Sequence, residues 1–190
     1  MSKKILILSG SPKKDGNTAA LIEWFKQGAL LKGAQIEVVS TAFLKCKSNG
    51  CTSCRMCQKN KEYGCVIDDD VRPVLRKMLE ADVIVMATPL YFFGPSAQTK
   101  IVFDRMFSLY KWDNDNGTMQ TPLKGKIFVL MASAFEAMGL DALEKPFSLT
   151  AEYTGMAFES LLVANAGVSG AIKANSDARQ KAIALGEKVG

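Results

Sequence analysis

Three features of the sequence predict an α/β domain built on a doubly wound parallel sheet. Residues 5–8, 83–87 and 127–131 are apolar runs without polar alternation, which suits strands buried on both faces. They alternate with stretches whose apolar residues recur at helical spacing. Loops of small and polar residues leave the strand ends, where open α/β sheets bind ligands.

The first strand leads into Ser9-Gly10-Ser11-Pro12-Lys13-Lys14-Asp15-Gly16-Asn17-Thr18. A helix then opens at Ala19, with Leu21, Trp24, Phe25, Gly28 and Leu31 on its apolar face and Gly33 beyond its end. Strand, small-residue loop and helix start form an anion cradle, because the free N–H groups of the first turn carry the positive end of the helix dipole. Ser9, Ser11, Asn17 and Thr18 offer neutral donors and Lys13 or Lys14 a charge, a set that suits a phosphate monoester. The loop is not an NTPase loop, since Gly10 and Gly16 are one residue too far apart and Asn17 replaces the Lys. The dinucleotide Gly-x-Gly-x-x-Gly is also missing.

Residues 35–40 alternate apolar and polar and read as a half-exposed edge strand. Residues 41–70 form the longest irregular stretch and hold all five cysteines. Asp68-Asp69-Asp70, with Pro73, reads as the capped start of a helix. The strand at 83–87 is expected to stop at Thr88-Pro89, followed by an aromatic loop over 90–95 and a helix from about 96 to 109. Residues 113–117 read as a polar turn. Beyond the strand at 127–131, which leads to Ser133-Ala134, a helix is expected over 141–155 despite Pro146. A strand over 158–163 and a helix over 177–189 follow. These elements make one domain, residues 1–190, with a cysteine-rich loop at 41–70.

With 24 basic and 19 acidic residues the net charge is +5, and the basic residues are dispersed. That is not the clustered stripe of a nucleic-acid binder, though it favours small anions. No stretch is long and apolar enough for a membrane span. The chain enters a strand almost at once, leaving no room for a signal peptide, so a cytoplasmic location with reduced thiols is expected. Histidine is absent, which removes the commonest general base and metal ligand.

Pro89, Leu90, Tyr91, Phe92 and Phe93 supply flat and apolar groups near the phosphate cradle. A ligand with a phosphate tail and a planar ring satisfies both, and FMN has that shape. Cys51, Cys54 and Cys57 form C-x2-C-x2-C, with Cys65 seven residues beyond the third Cys's neighbour. That spacing suits three corners of a [4Fe-4S] cubane and a distant fourth ligand. Structural zinc usually separates two C-x2-C pairs by a longer insert. Free or redox-active thiols are the third reading, and Cys46 is expected to be a buried apolar residue.

The whole chain resembles the NADPH-dependent FMN reductases of the flavodoxin-like fold, and within them the iron–sulfur flavoproteins. The resemblance rests on Gly10-Ser11-Pro12-Lys13-x-x-Gly16-Asn17-Thr18, the four-cysteine block running into Val66-Ile67-Asp68-Asp69-Asp70, Pro89-Leu90-Tyr91-Phe92, residues 96–105, and Gly-x-Ile-Lys-x-Asn from Gly170. It implies strand order 2-1-3-4-5 and FMN held by the first block, with Pro89-Leu90-Tyr91-Phe92 and Ser133-Ala134 against its ring. Phe93 stands where relatives usually carry Gly. The resemblance further implies NAD(P)H as electron donor, and small acceptors such as quinones or redox proteins as partners. It implies dimers or tetramers joined through the aromatic loop and the helix bearing Phe103 and Phe107. Three functions follow: an electron-transfer flavoprotein with a cluster, a plain NAD(P)H-dependent FMN or quinone reductase, or a phosphate-binding module with structural zinc.

Overall fold

The computed structural model describes residues 2–113 and 115–190. In chain order the main elements are β1 (Lys4–Ser9), α1 (Asn17–Leu31), β2 (Gln35–Ser40), α2 (Met56–Lys59), α3 (Val71–Glu80), β3 (Val83–Tyr91), β4 (Gly94–Pro95) and α4 (Ala97–Arg105). They continue with β5 (Lys111–Asp113), β6 (Thr118–Gln120), β7 (Ile127–Ser133), α5 (Leu140–Thr154), β8 (Ala157–Val163) and α6 (Ser176–Val189). Five parallel strands lie in the order β2-β1-β3-β7-β8, which is the expected 2-1-3-4-5.

The apolar runs explain the layers. Successive side chains of a strand point to opposite faces. Ile5 and Ile7 therefore enter a core beneath α1 and α6. Leu6 and Leu8 enter a second core beneath α3, α4 and α5. β2 lies at the edge and keeps half its residues exposed, as its alternation predicts. On the first face α1 and α6 cross at Gly28 and Gly186. A Cβ at Gly28 would lie 1.9 Å from the Ile183 carbonyl oxygen, and one at Gly186 2.1 Å from that of Phe25. Among the described residues no helix is long and apolar enough to cross a membrane.

Several boundaries differ from the sequence reading. α1 begins at Asn17, two residues early, with Gly16 at its cap position. β3 does not stop at Thr88-Pro89, because both residues stay in register with Ala132 and Ser133 of β7. The expected aromatic loop is a tight hairpin in which Leu90 and Tyr91 pair with Pro95 and Gly94. The helix expected to 109 ends at Arg105 and tightens into a 3-10 turn over Met106–Leu109. Phe103 is half-buried: it packs against the second core and stacks on Phe147 at 4.6 Å. The polar turn at 113–117 joins β5 to β6, and its Asn114 lies outside the described residues.

Substituting Ala for Gly28 should force the two helices apart. Overpacking of this kind costs about 1–3 kcal/mol, so the urea midpoint should fall. An unchanged midpoint would contradict the close crossing.

Candidate functional site

The phosphate loop is held by the start of α4. Ser96 caps that helix by accepting from the Thr99 backbone N–H, and its hydroxyl donates to the Gly10 carbonyl oxygen at 2.7 Å. A Cβ at Gly10 would lie 1.8 Å from Thr99 Oγ1, so only glycine fits there. Beyond it the chain turns over Ser11, whose Oγ accepts from the Lys13 N–H at 3.2 Å. No side chain caps α1 at Gly16, which leaves the N–H groups of its first turn to an external acceptor.

These residues form one wall of a cleft of about 180 Å³ at the carboxyl edge of the sheet. Ser11, Lys13, Gly16, Asn17 and Thr18 line it on one side, and Pro89, Leu90 and Tyr91 on another. Ser133 and Ala134 close it. Phe135, Gly167 and Ser169 also line it and were missed, because they lie in the loops after β7 and β8 just outside the Ser133-Ala134 and Gly170 segments. Of the expected residues, Ser9, Pro12, Phe92 and Phe93 are not in the cleft wall.

Asn17 has a different task from the one its residue type suggests. Its Nδ2 donates to the carbonyl oxygens of Ala166 and Gly167 at 3.1 and 3.2 Å. Its Oδ1 accepts from the N–H groups of Gly170 and Ile172 at 2.8 and 3.3 Å. The side chain thus clamps the last cleft loop to the phosphate loop, and only its backbone N–H remains for an anion.

Phe92 and Phe93 occupy the two central positions of the β3–β4 turn with φ of 47° and 67°. A two-residue hairpin requires this left-handed pair, which Asn-Gly usually supplies. Phe93 packs against Gly139, while Phe92 is 98% exposed at the tip.

Four of the five cysteines gather elsewhere. Cys51, Cys54, Cys57 and Cys65 all line one small cavity together with Arg105 and Phe107. Cys46 does not, and packs half-buried against the second core. Among the described residues no three His, Cys, Asp or Glu side chains group as they would around a single metal ion. Ser53 and Arg55 take left-handed φ of 56° and 55°, which curls the C-x2-C-x2-C segment on itself. The Ser53 N–H donates to Cys51 Sγ at 3.4 Å. The Met56 N–H and the Thr52 hydroxyl hold the exposed Cys54 thiol below its ordinary value. Burial pushes the Cys57 thiol up, partly offset by the Gln58 amide. Lys111 anchors α2 by donating to the carbonyl oxygens of Cys57 at 2.6 Å and Glu62 at 3.0 Å, and to that of Asn60.

The acidic run serves this loop more than the helix after it. Asp70 makes no side-chain cap for α3 and instead accepts from the Lys45 N–H at 2.8 Å. Asp69 accepts from the N–H groups of Lys47 and Val71 and from Arg105 Nη1 at 2.7 Å. Both side chains of the Asp69–Arg105 pair are fully buried. Burial would raise the Asp69 pKa, but the Arg105 hydrogen bond, the backbone donors and the nearby positive charge hold it below the usual carboxylate value.

The family model described as NADPH-dependent FMN reductase matches residues 3–186. An iron-sulfur flavoprotein of Methanocaldococcus jannaschii is 40% identical over 102 residues, which are 54% of this chain and 51% of that protein. The chain spans about half the length of the curated relatives it matches. Among solved structures, an azoreductase from Bacillus anthracis superposes with a TM-score of 0.72 at 14% identity, over 99% of this chain and 100% of that one. An NAD(P)H:quinone oxidoreductase from Methanothermobacter marburgensis gives 0.64 at 16% identity, over 99% and 97%. At these identities the structural matches establish the fold.

The Asp69–Arg105 pair makes stability depend on acid. A carboxylate whose pKa is depressed on folding stabilises the fold above its unfolded value of about 3.9, and loses that contribution as pH falls through the lower folded value. Asp69→Asn should cost about 3–5 kcal/mol at neutral pH by leaving Arg105 without its counter-charge. It should also flatten the fall in stability below about pH 4. Urea unfolding of both proteins across pH 2–7 (a range set by the unperturbed carboxylate value of about 3.9) checks both.

Proposed function

Because this chain belongs to the NADPH-dependent FMN reductase family, we propose that it is an FMN-dependent oxidoreductase. It takes electrons from NAD(P)H and passes them to small acceptors such as quinones or to redox proteins. The observation that carries this reading is the cleft itself. Uncapped helix N–H groups, Ser11, Thr18 and Lys13 stand at one end, and Pro89, Leu90, Tyr91 and Ala134 stand beside them. These residues fit the group: an anion takes the free donors of α1, and the apolar walls take a flat ring.

Bound FMN would supply two-electron exchange with NAD(P)H and one-electron exchange with other acceptors, so the protein itself needs no histidine. The chain's part is to bind and orient. Ser11 and Thr18 would donate to the phosphate and Lys13 would add charge, while Asn17 holds the last loop closed. Tyr91, half exposed, screens the open side from water. The exposed Phe92–Phe93 turn, with the half-buried helix bearing Phe103 and Phe107, offers the surface for the homodimer or tetramer contact. A cytoplasmic setting keeps the thiols reduced.

A second reading adds an iron–sulfur cluster, and the shared cavity of Cys51, Cys54, Cys57 and Cys65 favours it. A single zinc ion draws its sulfurs to about 3.8 Å from one another, given Zn–S bonds of about 2.3 Å. A cubane instead ties each thiolate to its own iron corner.

Flavin titration and stopped-flow oxidation of NADPH test the first reading. Ser11→Ala with Thr18→Val should weaken FMN binding, each lost charge-assisted hydrogen bond being worth about 1–3 kcal/mol. Unchanged affinity would place the phosphate elsewhere, and a chain that retains no flavin would end the proposal. For the cluster, anaerobic reconstitution should load about four irons per chain. Cys54→Ser should abolish that uptake while FMN stays bound. A colourless, zinc-containing protein would favour a binding module instead.

A further inference from the structure

Arg105 ends α4 inside the cysteine cavity, with a side chain that is 0% exposed. Two of its three nitrogens are accounted for: Nη1 donates to Asp69 Oδ2 at 2.7 Å and Nη2 to the Ile67 carbonyl oxygen at 3.2 Å. Nε has no partner, the one such buried side-chain nitrogen or oxygen among the described residues. Leaving a buried donor unpaired is costly, more so on a charged group. If pairing with Asp69 were the whole purpose, a group with fewer fixed donors would do. Cys65 lines the same cavity as Arg105, and the space beyond is lined by three more sulfurs.

We propose that Arg105 is a positioning residue of the cysteine cavity, whose Nε–H donates to a sulfur there, either Cys65 or a sulfide of a bound cluster. The inference rests on the cluster reading. Asp69 has a supporting part, since its ties to Arg105 and to the Lys47 and Val71 backbones fix the guanidinium plane. A donor and a positive charge beside the sulfurs stabilise the more negative, reduced form of a cluster and so raise its reduction potential.

The test uses the full chain, reconstituted anaerobically with iron and sulfide. Three proteins are compared: wild type, Arg105→Lys, and Asp69→Asn/Arg105→Gln, whose neutral pair avoids a stranded buried charge if the single variant does not fold. Iron and sulfide content is measured first, then the reduction potential against redox dyes. Expected is retained cluster with about a tenfold smaller reduced-to-oxidised ratio at fixed potential in the double variant, equivalent to about 59 mV for a one-electron couple. Arg105→Lys, which keeps charge without the fork, should fall between. Normal iron content with an unchanged potential in both variants overturns the role of Arg105 alone. Absence of iron and sulfide from the wild type overturns the cluster and this role together.

Discussion

The architecture depends on one close approach. At the carboxyl end of β1 the backbone of Gly10 lies against the first turn of α4, with no space for a methyl group between Gly10 and Thr99. The Ser96 hydroxyl, itself the helix cap, fixes the contact through the Gly10 carbonyl oxygen. Gly10 in turn donates to the Ala87 carbonyl oxygen of β3 at 2.7 Å. Strand, phosphate loop and helix are thereby locked at one point, and the direction of α4 is set. Everything α4 carries further on, including Arg105, inherits its position from that junction.

How much of this could be read from residues follows from the range of each interaction. The parallel strands were legible because burial on both faces leaves unbroken apolar runs, and the edge strand because burial on one face leaves alternation. The C-x2-C-x2-C segment stood out because its spacing is local. The end of β3 was not, since Thr88 and Pro89 look like a stop until β7 is beside them. The hairpin was hidden because two phenylalanines stand where a left-handed turn normally advertises itself with Asn-Gly. Asn17 and Asp69 looked like a ligand donor and a helix cap. Their partners lie at residues 166–172 and at Arg105, and no sequence window reaches that far.

Backbone strain collects where the chemistry is expected. Among the described residues, the non-glycine residues with left-handed φ are Ser53 and Arg55 in the cysteine segment, Phe92 and Phe93 in the hairpin, and Asn165 ahead of the last cleft loop. Each such residue costs of order 1–2 kcal/mol, more than a turn chosen for stability alone would carry. The two apolar cores on either side of the sheet offset this cost. Strain of this kind persists where the surroundings dictate the conformation, and Lys111, Gln58 and Asn17 do so by tying the loops at several points.

α4 begins at the phosphate loop and ends at the sulfur-lined cavity, and its nine residues advance about 13–14 Å at the standard rise of 1.5 Å each. The gap between the two centres is therefore written in peptide units and not in loop conformation. Adding one residue would lengthen it by about 1.5 Å and swing the terminal arginine through roughly 100°, out of register with the sulfurs. The helix acts as a ruler, and it can change only by whole turns or not at all.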